Sequence, residues 1–320
     1  MTNNEETVKP AHRGSVVCLG SLVADLVARP LRSIPGPGQQ ALVETIGLYP
    51  GGSATNTAIA LARLDVPVTI VACAGVDPLG DFVVQSLAHA GVDVTSVRRV
   101  ASAGTSTTLV LVDADGERRF VHAIGANGAL GLEHIDLDVI CRAAMLHVAG
   151  ALVLPGLDGP PLVSVLRAAR AAGVVTSLDV IWDDTGRWMD VLAPCLPHVD
   201  YFLPNLAEGR ALTGCQAPQE VARALVNAGV GMVILKLGAG GCLVAHQGNE
   251  QLWVPALPAV VVDATGAGDC FAGGLLAGLW RGWQLVDAVR LGHAAGAACV
   301  GAVGATVGVK SLSDTVARLT

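Results

Sequence analysis

Residues 260–280 read VVVDATGAGDCFAGGLLAGLW. The run Val260-Val261-Val262 predicts a strand, and the small, apolar residues from Gly266 to Arg281 predict a helix. Between them, Gly266 and Gly268 let the chain turn sharply and let a ligand approach the main chain. A helix entered this way presents unpartnered N–H groups and the positive end of its dipole, a ready anion site. Asp269 sits beside that site. A carboxylate repels a phosphate, so its place there suits the task of accepting a proton from an attacking hydroxyl. The same residues also fit a plain strand–turn–helix joint in which Asp269 is a first-turn acid favoured by the dipole.

A second cluster, PGGSATNTAIALARL at 50–64, weighs against the plain joint. Gly51 and Gly52 precede a mostly small, apolar helix, with Asn56 in or just beyond its first turn. An amide there suits hydrogen bonding to a polyol. Asp25, just past the first strand in GSLVAD, offers a carboxylate to two hydroxyls. Ser53 as a helix cap and Asp25 in a solvated loop are the alternatives.

Around these clusters, short apolar runs alternate with segments of helical period. Strands are expected at 15–20, 66–74, 145–150, 174–179, 200–203, 232–237 and 242–246. Helices are expected at 54–64, 80–90, 159–172, 218–229, 266–281 and 285–299. The alternation predicts an α/β fold, a mostly parallel sheet with helices on both faces. Two strand-like stretches, about 39–48 and 105–123, lack crossover helices and predict a small protruding sheet, with Asp115-Gly116 as a hairpin turn. That sheet suits a lid, a dimer surface, or both.

Composition narrows the class. Of 320 residues 52% are hydrophobic and 15% charged, enough for a sizeable core. The net charge of −7 is spread out, without a basic block, which argues against nucleic acid or an anionic membrane as partner. Only Lys9, Lys236 and Lys310 are lysines, and none follows a G-x-x-x-x-G loop, so a P-loop kinase is excluded. The Gly266-Ala-Gly268 run comes too late in the chain for a Rossmann dinucleotide site. Eight cysteines form no C-x-x-C pair and suit a reducing, cytoplasmic compartment. Residues 1–14 read as a disordered polar tail, and 15–320 as a single domain. The weakly charged stretch from Arg290 to Lys310 is rich in alanine and glycine and reads as a buried helix followed by a glycine-rich loop, not a membrane span.

With both glycine clusters in view, the sequence resembles the ribokinase-like, or PfkB, family of carbohydrate kinases. Gly51-Gly52-…-Asn56 resembles its N-terminal signature and Asp263–Asp269 its C-terminal D-T-x-G-A-G-D. Between them, Gly75–Gly80, Gly125–Asn127, Asn205–Glu208 and Leu237–Gly241 match weaker elements in order. The resemblance implies a three-layer αβα sandwich with a β lid, transferring the γ-phosphoryl group of ATP to a small sugar. It makes Asp269 the catalytic base and Gly266, Ala267 and Gly268 the anion hole. Asp25, Gly51, Gly52 and Asn56 would hold the sugar. Lys236, Gly238, Gly240, Gly241 and His293 would border the nucleotide. Asn205 and Glu208 would organise Mg²⁺ through water. Asp263, with carbonyls near Thr265, Cys299, Ala302 and Gly304, would hold a monovalent cation such as K⁺. Ala264 replaces the family's usual threonine, and Gly308 stands where ribokinases tend to have a serine near that cation. The favoured substrate is a neutral sugar. A phosphorylated sugar would call on Arg29, Arg32, Arg118 or Arg119 from the lid side, and a nucleoside is the alternative within the family. A homodimer through the lid is expected. A non-catalytic sugar-binding protein is the rival reading, and the intact base and glycines argue against it.

Overall fold

Val16, Val17, Cys18 and Leu19 are all fully buried, but in two different cores. Val17 and Leu19 face one apolar cluster, Val16 and Cys18 the other. Side chains alternate across a strand, so this run must lie in a sheet covered on both faces, which explains its unbroken apolar character. The computed structural model describes residues 14–113, 117–248 and 251–319.

The strands in chain order are β1 (Val16–Gly20), β2 (Val23–Leu31), β3 (Thr45–Gly51), β4 (Val68–Gly75), β5 (Val97–Val100), β6 (Thr107–Asp113), β7 (Arg118–Ala123), β8 (Met145–Ala151), β9 (Val175–Val180), β10 (Tyr201–Phe202), β11 (Met232–Lys236), β12 (Cys242–His246) and β13 (Gln251–Val254). The helices are α1 (Ser53–Arg63), α2 (Pro78–His89), α3 (Leu137–Cys141), α4 (Pro160–Ala171), α5 (Trp188–Leu192), α6 (Leu206–Thr213), α7 (Pro218–Asn227), α8 (Ala267–Trp280), α9 (Leu285–Val300) and α10 (Leu312–Val316). Nine strands form one sheet in the order β13-β12-β11-β10-β9-β8-β1-β4-β5. It is parallel from β5 through β11, and β12 and β13 add antiparallel at one edge. Helices α4 and α7 bury residues against one face, and α1, α2, α8 and α9 against the other. This is the expected αβα sandwich.

The second sheet has four strands in the order β3-β2-β6-β7. It differs from expectation in two ways. Residues 39–44 lie outside strand, which runs over Thr45–Gly51 instead, and β2 supplies a central strand that the sequence reading missed. The apolar alternation of β2 is blurred by Asp25, Arg29 and Pro30. β2 and β6 run parallel, while β3 and β7 flank them antiparallel. The Asp115-Gly116 turn and the tail before Gly14 lie outside the described residues.

Val260–Val262 does not form a strand. Its side chains are exposed, Val260 at 83%. The Val262 and Asp263 N–H groups donate instead to the Val300 carbonyl at the end of α9, at 2.7 and 3.2 Å. Helices α8 and α9 meet along a seam of glycines. A Cβ on Gly274 would lie 2.6 Å from the Leu291 carbonyl oxygen, and one on Gly278 would lie 2.7 Å from Ala288 Cα. Among the described residues, no helix is long and apolar enough to cross a membrane.

Candidate active site

The start of α8 is set by Gly266, which takes a left-handed conformation (φ 75°), and a Cβ there would lie 2.3 Å from the Ala305 carbonyl oxygen. Only glycine fits both demands. The first turn, Ala267-Gly268-Asp269, therefore begins with backbone N–H groups that have no intrahelical partner, and Ala267 and Gly268 line a cleft. The side chain of Asp269 accepts from Asn56 Nδ2 at 2.8 Å, and its backbone carbonyl accepts from the Thr57 hydroxyl at 3.2 Å. These bonds join the first turns of α1 and α8, so the two glycine clusters of the sequence share one site. Burial pushes the Asp269 carboxyl up to about 6, although the Asn56 bond pulls it back down. Asn56 Oδ1 is buried and, among the described residues, without a hydrogen-bond partner.

Asp25 projects from β2 where it pairs with β3, opposite Tyr49. A Cβ on Gly51 would lie 2.0 Å from its Oδ2, so glycine at 51 is what admits the carboxylate. Gly52 (φ 93°) then turns the chain into α1, with the Ser53 N–H donating to Ser21 Oγ at 2.8 Å. Burial pushes Asp25 up to about 6, against the Thr108 hydroxyl bond that lowers it. A cavity of about 740 Å³ lies between the small sheet and the α8 loop, lined by Asp25, Tyr49, Arg118, Asp263 and Gly304 among others. Arg29 also lines it; Arg32 and Arg119 do not.

A second cleft, about 310 Å³, opens on the other side of the α8 N-terminus. Lys236, Gly238, Gly241, Gly268, Phe271 and His293 line it. Gly241 (φ 90°) is forced to be glycine, because a Cβ would lie 2.1 Å from the Val254 carbonyl oxygen. Gly240 is not part of the lining; its carbonyl accepts from the Trp253 indole at 2.9 Å. His293 packs on Phe271 with ring centroids 5.0 Å apart. Its Nε2 is buried and, among the described residues, without a partner.

Lys236 ends β11 with its ammonium 3.3 Å from where a Gly268 Cβ would be, over the first turn of α8. It pairs with Asp179 Oδ2 at 2.7 Å. Burial alone would lower this ammonium, but Asp179 and Glu208 outweigh it and hold it above its ordinary value. Asp179 itself is raised, burial prevailing over the attraction of Lys236. The sequence reading missed Asp179. The available signal was a carboxylate closing the expected strand at 174–179, a position that a buried strand gives up only for a partner.

Asn205 and Glu208 form a reciprocal box at the start of α6, a helix absent from the sequence expectations. Asn205 Oδ1 accepts from the Glu208 N–H at 2.9 Å, and Glu208 Oε2 accepts from the Asn205 N–H at 2.7 Å. The spacing that reads as a metal motif is also a helix-capping signature. Burial pushes Glu208 up to about 7, with Lys236 opposing. Asp263 spends Oδ1 on the N–H and hydroxyl of Thr265, at 2.9 and 2.6 Å, and Oδ2 on the Gly304 N–H at 3.0 Å. Arg118 Nη1, from β7, pairs with Oδ1 at 3.4 Å. Burial would raise Asp263, but these donors hold it below the usual carboxylate range.

Comparison with known proteins agrees with this geometry. The ribokinase of Haemophilus influenzae is 28% identical over 320 residues, covering 95% of this chain and 98% of that protein. The fructokinase of Klebsiella pneumoniae is 30% identical over 272 residues, 83% of this chain and 84% of that one. The structure of Arabidopsis thaliana ribokinase complexed with ribose and ATP superimposes with a TM-score of 0.86 at 26% identity, covering 97% of this chain and 99% of that one. Residues 13–312 match the description "pfkB family carbohydrate kinase". A match that spans residues 13–312, on this fold, places the chain in the pfkB family of carbohydrate kinases.

Proposed function

We propose that this carbohydrate kinase transfers the γ-phosphoryl group of Mg·ATP to a hydroxyl of a neutral, ribose- or fructose-like sugar. The reading rests chiefly on Asp269, which Asn56 holds in the first turn of α8, next to Gly268 of the smaller cleft. The sugar would occupy the larger cavity, with Asp25 on its wall accepting two of its hydroxyls; the unpartnered Asn56 Oδ1, in the first turn of α1 and outside that lining, is the further acceptor proposed for it. Asp25, Glu44, Asp113 and Asp263 line that cavity against only Arg29 and Arg118. An excess of carboxylates favours an uncharged substrate over a sugar phosphate.

ATP suits the smaller cleft. Its apolar walls, Val261, Phe271, Ala297 and Val300, fit a flat base, and the unpartnered His293 Nε2 would be satisfied by a polar base edge. Lys236 would then meet the phosphates above Gly268, and the N–H groups of the α8 first turn would stabilise charge developing on the phosphoryl oxygens. Asp269 takes the proton of the attacking hydroxyl. Asn205 and Glu208 each spend one oxygen on the helix cap, so they suit Mg²⁺ held through its own waters rather than by direct ligation. The ion neutralises phosphate charge when bound.

The test is ADP release from Mg·ATP across neutral sugars, sugar phosphates and nucleosides, beside Asp269→Asn. One class should turn over, and the variant should lose about a hundred- to ten-thousand-fold. Equal silence of both proteins, with a sugar still bound, would instead mean a binding protein on this fold.

We further propose that two copies pair through the outer face of the small sheet. Registered pairs put Leu48, Leu26, Leu109 and Val121 in one row across all four strands, with Ile46 in the next. Ile46, Leu48, Leu109 and Val121 are exposed, an apolar stripe of the kind that marks an interface.

A further inference from the structure

Arg118 crosses from β7 to the loop ahead of α8, and the group it meets there is already satisfied. Asp263 Oδ1 takes the N–H and hydroxyl of Thr265 together with Arg118 Nη1, which also donates to the Thr265 hydroxyl oxygen. Asp263 Oδ2 takes the Gly304 N–H. The Cys299 thiol lies 3.2 Å from the Thr265 carbonyl oxygen and 3.1 Å from that of Ala305, and its one hydrogen serves one of them at a time. The Cys299 carbonyl accepts the Ala302 N–H at 3.2 Å, and the Gly304 carbonyl accepts the Val307 N–H at 3.4 Å. Gly308 contributes no side-chain oxygen, and a Cβ there would lie 1.8 Å from the Ala298 carbonyl oxygen, so nothing larger fits without moving the backbone. A monovalent cation is held by several oxygens that replace its hydration shell together. The set expected from the resemblance, Asp263 with Thr265, Cys299, Ala302 and Gly304, has its carboxylate and two of its carbonyls engaged within the protein, so it does not fit that ion.

We infer that Arg118 supplies, from the small sheet, the positive charge that the resemblance assigns to a monovalent cation beside the anion hole, so that phosphoryl transfer by this chain needs no such ion. A guanidinium stays charged at every working pH and presents a rigid fork of donors. Its Cζ lies 5.8 Å from the Phe120 ring centroid, which adds a second restraint. Asp263 and Thr265 directly precede Gly266, so holding them holds the entry to the α8 first turn. Arg118 is thus a positioning residue, acting on the phosphoryl group through the loop. Because it rides on the sheet that also carries Asp25, the charge and the sugar site are delivered by the same element.

This inference rests on the proposed kinase reading, and the experiment separates the two. Turnover of the best acceptor is measured in KCl, NaCl and tetramethylammonium chloride at one ionic strength, for wild type, Arg118→Lys and Arg118→Ala. Wild-type rates should agree across the three salts. Arg118→Ala should lose about tenfold or more in kcat, with a smaller change in sugar KM, and millimolar guanidinium chloride should restore part of the rate. Arg118→Lys should fall between. Several-fold activation of wild type by K⁺ over tetramethylammonium overturns the inference, as does an Arg118→Ala variant with undiminished kcat. If Arg118→Ala does not fold, the wild-type salt series decides alone. If no acceptor turns over, the kinase reading is what has failed. The melting temperature with Mg·ATP in the three salts then still bears on Arg118: equal values support it, and a rise specific to K⁺ rejects it.

Discussion

At the scale of single residues, the site sets chemistry against stability. Asp269 must be ionised to accept a proton, yet burial raises it to about 6. The kcat/KM of the kinase should therefore climb with pH through about 6 and level off above it. A profile flat from pH 5 to 8 would exclude Asp269 as the titrating base. The sign for stability is opposite. A carboxyl whose folded value lies above its unfolded one binds more protons folded than unfolded, so its contribution falls as pH rises through that window. Asp269→Asn removes this charge, so its melting temperature relative to wild type should increase between pH 5 and pH 7.5. That Asp269 and Asn56 lie near one another was legible in outline, because each follows a glycine turn at a helix start whose backbone demands are local. The pairings of Asp179 with Lys236 and of Arg118 with Asp263 were not, because the partners are far apart along the chain and only the folded topology brings them together.

Elements show the same division. Helices α1, α2, α4, α7, α8 and α9 lie within two residues of their expected ends, since their apolar period or bounding Gly and Pro residues mark them. Helix α6 escaped because its eight residues bury only Glu208, Gly209 and Leu212, too few to show a period. The valines at 260–262 misled because β-branched residues favour strands only where a sheet receives them. Close contact of α8 with α9 depends on the absence of side chains at Gly274 and Gly278. Gly278→Val would drive a branched side chain into the Ala288 backbone, and should destabilise the protein by about 1–3 kcal/mol as overpacking does. Urea titration would report it as a lower midpoint. An unchanged midpoint would mean that the seam relaxes freely.

For the whole molecule, seven of the nine strands of the large sheet were readable from alternation and the short edge strands β5 and β13 were not, whereas the small sheet needed Ala24 of β2 to pair with Thr107 of β6, which no local pattern encodes. β2 pairs with β6, and the same strands carry Asp25 inward and an apolar row outward. If that outer row joins two copies, sedimentation at micromolar concentration should give twice the chain mass of 32.4 kDa. Leu109→Lys should then shift the species to the monomer. A wild-type monomer under those conditions would leave the stripe without the partner assigned to it. The near-absence of lysine has a consequence of another kind. Among the described residues, Lys236 is the only lysine lining either cleft, and its ammonium stands over the turn where phosphates are proposed to lie. A nucleotide carrying an acylating group thus meets a single lysine there among the described residues, one that reacts only from its deprotonated fraction, so the poverty of one residue type becomes an address for covalent labelling that strengthens as pH rises.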